Sequence, residues 1–279
     1  MSEAQIAALR EAAIAREPDR YFAATLAPHA VRADLIALAA FAAELANIPA
    51  QVREPLTGEI RLQWWRDALG DVGAEAAAGH PVAAAMRTTI ARHALPAEIV
   101  HAVIDSCADA VHGEHPASEQ ALRRHMAAGE GGLFRLAARI CAGDGGYDTD
   151  RIAEAAGLAY GLSRALPRLP SEGAARLPIP RSLLSDEALA RAGPDGVNPQ
   201  LTTAVETLIT LARTAHDGVA PPLAKMSRAK RLPFLPLAMV RPNLRALETW
   251  LQRRGTVPGE PMPIGRLMRI AWAHASGRL

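Results

Sequence analysis

The sequence predicts an all-α protein, a helical bundle of about ten to twelve helices. Three observations predict it. Apolar residues recur at helical spacing along nearly the whole chain, and no stretch alternates apolar and polar residues as a half-buried strand would. Aromatic residues make up only 4% of the 279 while alanine abounds, which suits closely packed helices better than a β-sandwich. Proline and glycine fall at intervals that open and close helices.

Ser2 caps a first helix that runs to about Arg16, and Pro18 ends it. Tyr21 to Leu26 forms a turn or two before Pro28. Ala30 to Ile48 reads as a long apolar helix stopped by Pro49. Gly58 to Leu69 carries Trp64 and Trp65 and is closed by Gly70 and Gly73. Pro81 and Pro96 each open a helix at its first turn, the second spanning Ala97 to Val111. Ser118 caps a helix over Ala121 to Ala128, Gly129 to Gly132 breaks it, and Leu133 to Cys141 resumes. A long helix spans Asp150 to Leu166. The stretch 167–180 holds four prolines and reads as a loop. Ser182 to Ala192 is a short helix. Asn198-Pro199 starts another that ends near Asp217, with Pro221 and Pro222 as punctuation. Two short helices split by Pro242 occupy 231–252, and a last helix runs from near Pro263 to His274.

Hydrophobic residues at 49% and charged residues at 22% are those of a globular protein, and the length suffices for one sizeable core, read as one domain over 1–279. Two cysteines, Cys107 and Cys141, exclude a disulfide scaffold or a four-cysteine zinc site. The longest apolar candidate, Leu35 to Ala46, is too short to cross a bilayer and carries Glu44. The first residues include Glu3 and Glu11 and lack the apolar core of a secretory signal, so a cytoplasmic protein is expected.

Charge is unevenly spread. Residues 1–140 carry 13 Arg against 17 Asp and Glu, whereas 221–279 carry 11 Lys and Arg against 2 acids, a local net charge of +9. Such a region suits contact with an anionic ligand, lipid surface or partner. Lys225, Arg228, Lys230 and Arg231 form its densest patch. Nucleic acid is not expected, because no aromatic interleaving accompanies the basic residues.

The chain contains no GxSxG, Walker loop, HExxH or zinc-spaced Cys/His set. Carboxylates four apart on a helix share a face and can jointly hold Mg²⁺ through a diphosphate. Asp67/Asp71 and Asp105/Asp109 have that spacing. Isolated pairs of this kind are usually solvated or salt-bridged. Ile60 to Leu69, IRLQWWRDAL, is more specific. An adjacent tryptophan pair in so aromatic-poor a chain either anchors the core between helices or walls a ligand cavity, with Arg61 on the same side.

Five segments together resemble the squalene/phytoene synthase superfamily. They are DRYFAATLAP, LIALAAFAAELANI, IRLQWWRDAL, AAGEGGLFRLAARICAG, and GLAYGLSRALPRLP with ARLPIPRSLL. The resemblance implies an isoprenoid-synthase-like bundle around a central cavity, a prenyl or other lipid ligand, and Mg²⁺ if the protein is catalytic. It also implies an aspartate-rich motif on each of two facing helices. Here the first region reads FAAELANIPA, leaving Asn47 as a neutral donor. The second reads LSRALPRLPSE, with Arg168 where an aspartate is expected and Glu172 downstream. An arginine puts positive charge where a metal would sit. Glu44 to Ala46 and Arg61 to Leu69 look most like the branch containing the mitochondrial complex I assembly factor, which keeps the fold and loses the aspartates. That likeness implies a non-catalytic assembly or lipid-binding protein without cofactor, peripheral to the inner membrane or serving a respiratory complex. The alternative is an active head-to-head prenyltransferase in which Arg61, Arg164, Arg168 and Arg176 clamp diphosphate. The candidate cavity residues are therefore Asn47, Arg61, Trp64, Trp65, Arg164, Arg168, Glu172 and Arg176.

Overall fold

The structure is a computed structural model that describes residues 3–52, 54–70, 73–143, 147–185, 187–188, 198–253 and 263–279. The described residues are helical, without a strand. They form α1 (Glu3–Arg16), α2 (Pro18–Thr25), α3 (His29–Gln51), α4 (Pro55–Leu69), α5 (Ala74–Ala78), α6 (Pro81–His93), α7 (Ala97–Asp105) and α8 (Ala108–His112). There follow α9 (Glu119–Met126), α10 (Gly132–Ala142), α11 (Tyr147–Ala165), α12 (Leu169–Glu172), α13 (Pro199–Lys225), α14 (Arg228–Arg231), α15 (Val240–Arg253) and α16 (Pro263–Ser276).

Proline at the first or second helical position starts α2, α4 and α6, where its missing N–H has no intrahelical partner to lose. Ser118 and Asn198 cap α9 and α13 by accepting from Ala121 N and Leu201 N. Arg87 donates to the carbonyls of Ala68 and Gly70, satisfying the end of α4.

Several sequence expectations are corrected, among them the split at Pro242, which lies inside α15. Pro49 does not stop α3, which continues to Gln51, nor do Pro221 and Pro222 end α13 before Lys225. The glycines at 129–132 do not break the chain into two helices. Ala127–Gly131 widens into a π-helix that joins α9 to α10. The proline-rich stretch 167–180 is partly helical: 3₁₀ turns at Leu166–Arg168 and Ala174–Arg176 flank α12. Of the helix expected over Ser182 to Ala192, residues 186 and 189–192 lie outside the described residues, 182–183 form a turn followed by a bend at 184, and 187–188 are helical.

Two apolar cores form. The first gathers α1 to α7 with part of α10, around Phe41, Leu38, Leu62, Trp65 and Met86. The second gathers α9, α11, α13 and α15 around Tyr160, Leu162, Leu208 and Leu244. A 3₁₀ helix at Leu232–Met239, buried throughout, divides them. Its three-residue period puts Leu232, Leu235 and Ala238 into the first core, and Phe234 and Leu237, followed by Val240, into the second. By length and composition α3 could cross a bilayer. Its apolar side is spent inside the fold, against α1, α2 and α6.

Candidate functional site

The polar centre of the molecule lies between the two cores. Glu17, at the N-cap position of α2, and Asp19 and Arg20 in its first turn are all buried. Tyr160 and Arg164, one turn apart, share the face of α11 that meets them. Glu130 comes from the π-helix, and Arg266 from α16.

These side chains form a closed ring of alternating charge. Arg20 Nη1 lies 2.7 Å from Glu17 Oε2, and its Nη2 lies 2.5 Å from Glu130 Oε2. Arg164 Nη1 closes the ring at 2.6 Å from Glu17 Oε1 and 3.2 Å from Glu130 Oε1. Arg164 Nη2 also donates to the Arg16 carbonyl at 2.8 Å. Beside the ring, Asp19 accepts from Tyr160 OH at 3.1 Å and from Arg266 Nη1 at 2.8 and 3.0 Å. Arg20 sits over the Phe134 and Tyr160 rings, 5.2 and 4.9 Å from their centroids, and Arg164 lies 5.4 Å from that of Tyr160. The guanidiniums thus meet aromatic faces where carboxylates do not reach them.

Burial works against every charge here, and the partners overcome it. Desolvation would raise the Glu130 carboxyl, but Arg20 and Arg164 hold it below the usual carboxylate range. Desolvation would lower Arg20 and Arg164, yet Glu130 and Glu17 keep both guanidiniums firmly protonated. Burial, with Asp19 beside it, pushes the Tyr160 hydroxyl well above its ordinary value. Three carboxylates thus face three guanidiniums.

Glycine lets these elements approach. A Cβ on Gly157 of α11 would lie 2.3 Å from Gly131 N of the π-helix, and one on Gly161 would lie 2.5 Å from Met126 Sδ. The close crossing and the extra π-helical residue together aim Glu130 inward.

Of the sequence candidates, the structure brings Arg164 into this centre. Trp65 is a core anchor, packed edge-on to Phe41 at 5.3 Å and to Trp64 at 5.1 Å, and His80 sits against both indoles. Trp64 is half-buried on the same core. Arg61 is exposed and donates to Gln51 on α3. Arg168 pairs with Glu172 one turn on, at 2.6 Å, in solvent, and Arg176 is exposed. Asn47 is half-buried, and its Oδ1 has no partner among the described residues. Arg231, expected in the surface patch, is buried. It donates to the Met226 carbonyl, leaving Lys225, Arg228 and Lys230 exposed.

The carboxylate pairs are corrected too. Asp105 ends α7 and Asp109 lies in α8, so no single helix aligns them. Asp105 pairs with Arg66 at 2.7 Å and Asp109 with His125 at 3.1 Å. Asp67 is exposed and accepts from Gln63, and Asp71 lies outside the described residues. Among the described residues no three His, Cys, Asp or Glu side chains converge as metal ligands. The described inner carboxylates, each paired with arginine, do not fit Mg²⁺, which takes several oxygens and favours carboxylates free to bind it.

The sequence signal for the centre was present in three of the resembling segments, DRYFAATLAP, AAGEGGLFRLAARICAG and GLAYGLSRALPRLP, which hold Asp19, Arg20, Glu130, Tyr160 and Arg164. Glu17 and Arg266 carried none. A groove of about 440 Å³ along α13 is lined by Thr203, Glu206, Thr207 and Thr210 with Glu119, and shares no residue with this centre.

The all-α bundle has the isoprenoid-synthase type of fold. A family model described as squalene/phytoene synthase matches residues 15–253, and the chain belongs to that family. Its structure is similar to the crystal structure of a dehydrosqualene synthase in complex with ligand, with a TM-score of 0.71 at 11% identity, covering 98% of this chain and 96% of that one. It is also similar to squalene synthase HpnC from Alicyclobacillus acidocaldarius, with a TM-score of 0.57 at 14% identity, covering 98% and 94%. At these identities the likeness speaks for the fold. No protein of curated function matches the chain.

Proposed function

We propose that this protein is a non-catalytic member of the squalene/phytoene synthase family that binds an isoprenoid or related lipid and acts through that binding. One observation carries the reading: the closed ring of Glu17, Arg20, Glu130 and Arg164. Ionising a prenyl diphosphate through Mg²⁺ needs carboxylates that can turn to the metal. Here each inner carboxylate is neutralised by a guanidinium that would first have to leave. Arg168 and Arg176 are exposed, and Arg168 is paired with Glu172, whereas a diphosphate-clamping alternative would need both turned inward. No cofactor belongs to this reading. The protein is read as cytoplasmic, and the likeness of Glu44 to Ala46 and Arg61 to Leu69 to the assembly-factor branch supports an assembly role for the bound form.

The test is diphosphate release from farnesyl and geranylgeranyl diphosphate, with Mg²⁺ alone and with Mg²⁺ plus NADPH, beside an active family enzyme. The folded protein is expected to release none and to retain a radiolabelled prenyl alcohol in equilibrium dialysis. Release that EDTA abolishes would overturn the reading.

A further inference from the structure

The last helix, α16, is apolar on two opposite sides. Its inner side buries Ile270 and Ala273 and sends Arg266 to Asp19. Its outer side carries Ile264, Met268 and Trp272, which are 65%, 68% and 69% exposed. Spaced four residues apart, the three form one stripe facing away from the core. A surface helix ordinarily carries one apolar stripe, the one that faces the core, so this second stripe is unaccounted for by the fold. Three large side chains in one stripe also differ from the isolated exposed leucine that any surface shows.

Charge surrounds the stripe. Arg269 is exposed on its flank. At the C-terminal end of the helix, a Cβ on Gly277 would lie 3.2 Å from the Arg231 guanidinium, so α14 packs there and brings exposed Arg228 and Lys230 with it. Burial, with Arg228 and Arg231 nearby, lowers the His274 imidazole, which places that positive field beside the helix. Residues 221–279 hold 11 basic and 2 acidic residues in all.

We propose that α16 and the basic turn α14 dock this protein on an anionic lipid bilayer. Ile264, Met268 and Trp272 enter the boundary between headgroups and acyl chains, and Lys225, Arg228, Lys230 and Arg269 face the lipid phosphates. The combination of an apolar stripe containing tryptophan with flanking Lys and Arg is that of an interfacial helix. A second copy of the chain fits less well, since the same face would set the exposed Lys225, Arg228, Lys230 and Arg269 of one copy against those of the other. An anionic bilayer supplies both the apolar depth and the opposite charge.

The full chain is mixed with vesicles of phosphatidylglycerol and phosphatidylcholine, or of phosphatidylcholine alone, and sedimented. Trp64 is half-buried and Trp65 and Trp250 are buried, so a change in tryptophan emission reports Trp272. Binding to the anionic vesicles with a blue shift is expected, with at least tenfold weaker binding to neutral ones. The triple variant Ile264→Ser, Met268→Ser, Trp272→Ser alters only exposed side chains, and its helicity is checked by circular dichroism. It is expected to lose at least tenfold in binding. Lys225→Gln, Arg228→Gln and Lys230→Gln should each cost about fivefold, less at high salt. Three results would overturn the proposal: no vesicle binding, binding untouched by the stripe variant, or a dimer that the stripe variant dissolves. The measurement reads vesicle binding and not turnover, so it stands or falls apart from the proposed loss of catalysis.

Discussion

Arg164 Nη1 reaches Glu17 Oε1 at 2.6 Å, tying the last turn of α11 to the junction of α1 and α2 across 147 positions of sequence. Glu17 is 1% exposed. Its two oxygens are divided between Arg164 and Arg20, so neither arginine can leave without stranding a buried charge. Breaking one side of such a pair costs more than the pair itself contributes. Arg164→Met is therefore expected to destabilise the protein by about 3 kcal/mol in urea unfolding. Arg164→Lys should lose less, because one ammonium can satisfy Glu17 or Glu130 but not span both. Equal stability of the methionine variant and the wild type would remove the ring from its place at the centre of the fold.

The ring also sets a pH dependence. The Glu130 carboxyl is lowered in the folded state, so it contributes stability that is fully present above its ordinary value of 4.5 and lost as pH falls through the folded value. His216 acts in a different window. Burial lowers its imidazole below 6.5. Its neutral form is favoured in the fold, so stability is complete above 6.5 and falls as the pH drops below it. Glu130→Gln should flatten the acid limb of a stability-against-pH curve, and His216→Leu the slope between about pH 7 and 5. Chemical denaturation at half-unit pH steps separates the two, and a limb unchanged in its own variant would refute that assignment.

Cys107 and Cys141 are each pushed up to about 12, chiefly by burial. The thiolate is the reactive form, so both should resist iodoacetamide at pH 8 in the native protein and react once it is unfolded. Mass spectrometry of labelled peptides reads this directly, and rapid native labelling of either residue would contradict it.

Helices were legible in the sequence because their punctuation is local. Pro81 and Ser118 open elements where proline or a capping hydroxyl fits the first turn. Interior prolines misled, since tertiary packing holds α3 through Pro49 and α13 through Pro221 and Pro222. The π-helix at Ala127–Gly131 was hidden for a related reason: a glycine cluster reads locally as a break, whereas here it serves a close approach to α11. The candidate site was legible only in part. Arg164 stood out beside a degenerate motif, but Glu17 and Arg266 are ordinary surface-type residues until the fold brings together positions more than a hundred residues apart. The tryptophan pair drew attention for its rarity, and rarity does not separate a cavity wall from a core anchor. Only the packing of Trp65 on Phe41 and His80 does.

The crossing of α11 over the π-helix gives the sharpest steric prediction. A Cβ on Gly157 would fall 2.3 Å from Gly131 N and 2.6 Å from its Cα. Both are backbone atoms, so no side chain can rotate away, and one helix must shift. Moving the π-helix would also pull Glu130 from Arg20 and Arg164. Gly157→Ala is expected to cost about 3 kcal/mol, the upper range for an overpacked core. Gly218, inside α13, has nothing within 4 Å of its Cβ position. Gly218→Ala therefore removes unfolded-state entropy without a clash and should stabilise by about 0.5–1 kcal/mol. Urea denaturation of the two variants beside the wild type gives both signs. Stabilisation by Gly157→Ala would mean that the helices do not cross as closely as the ring requires.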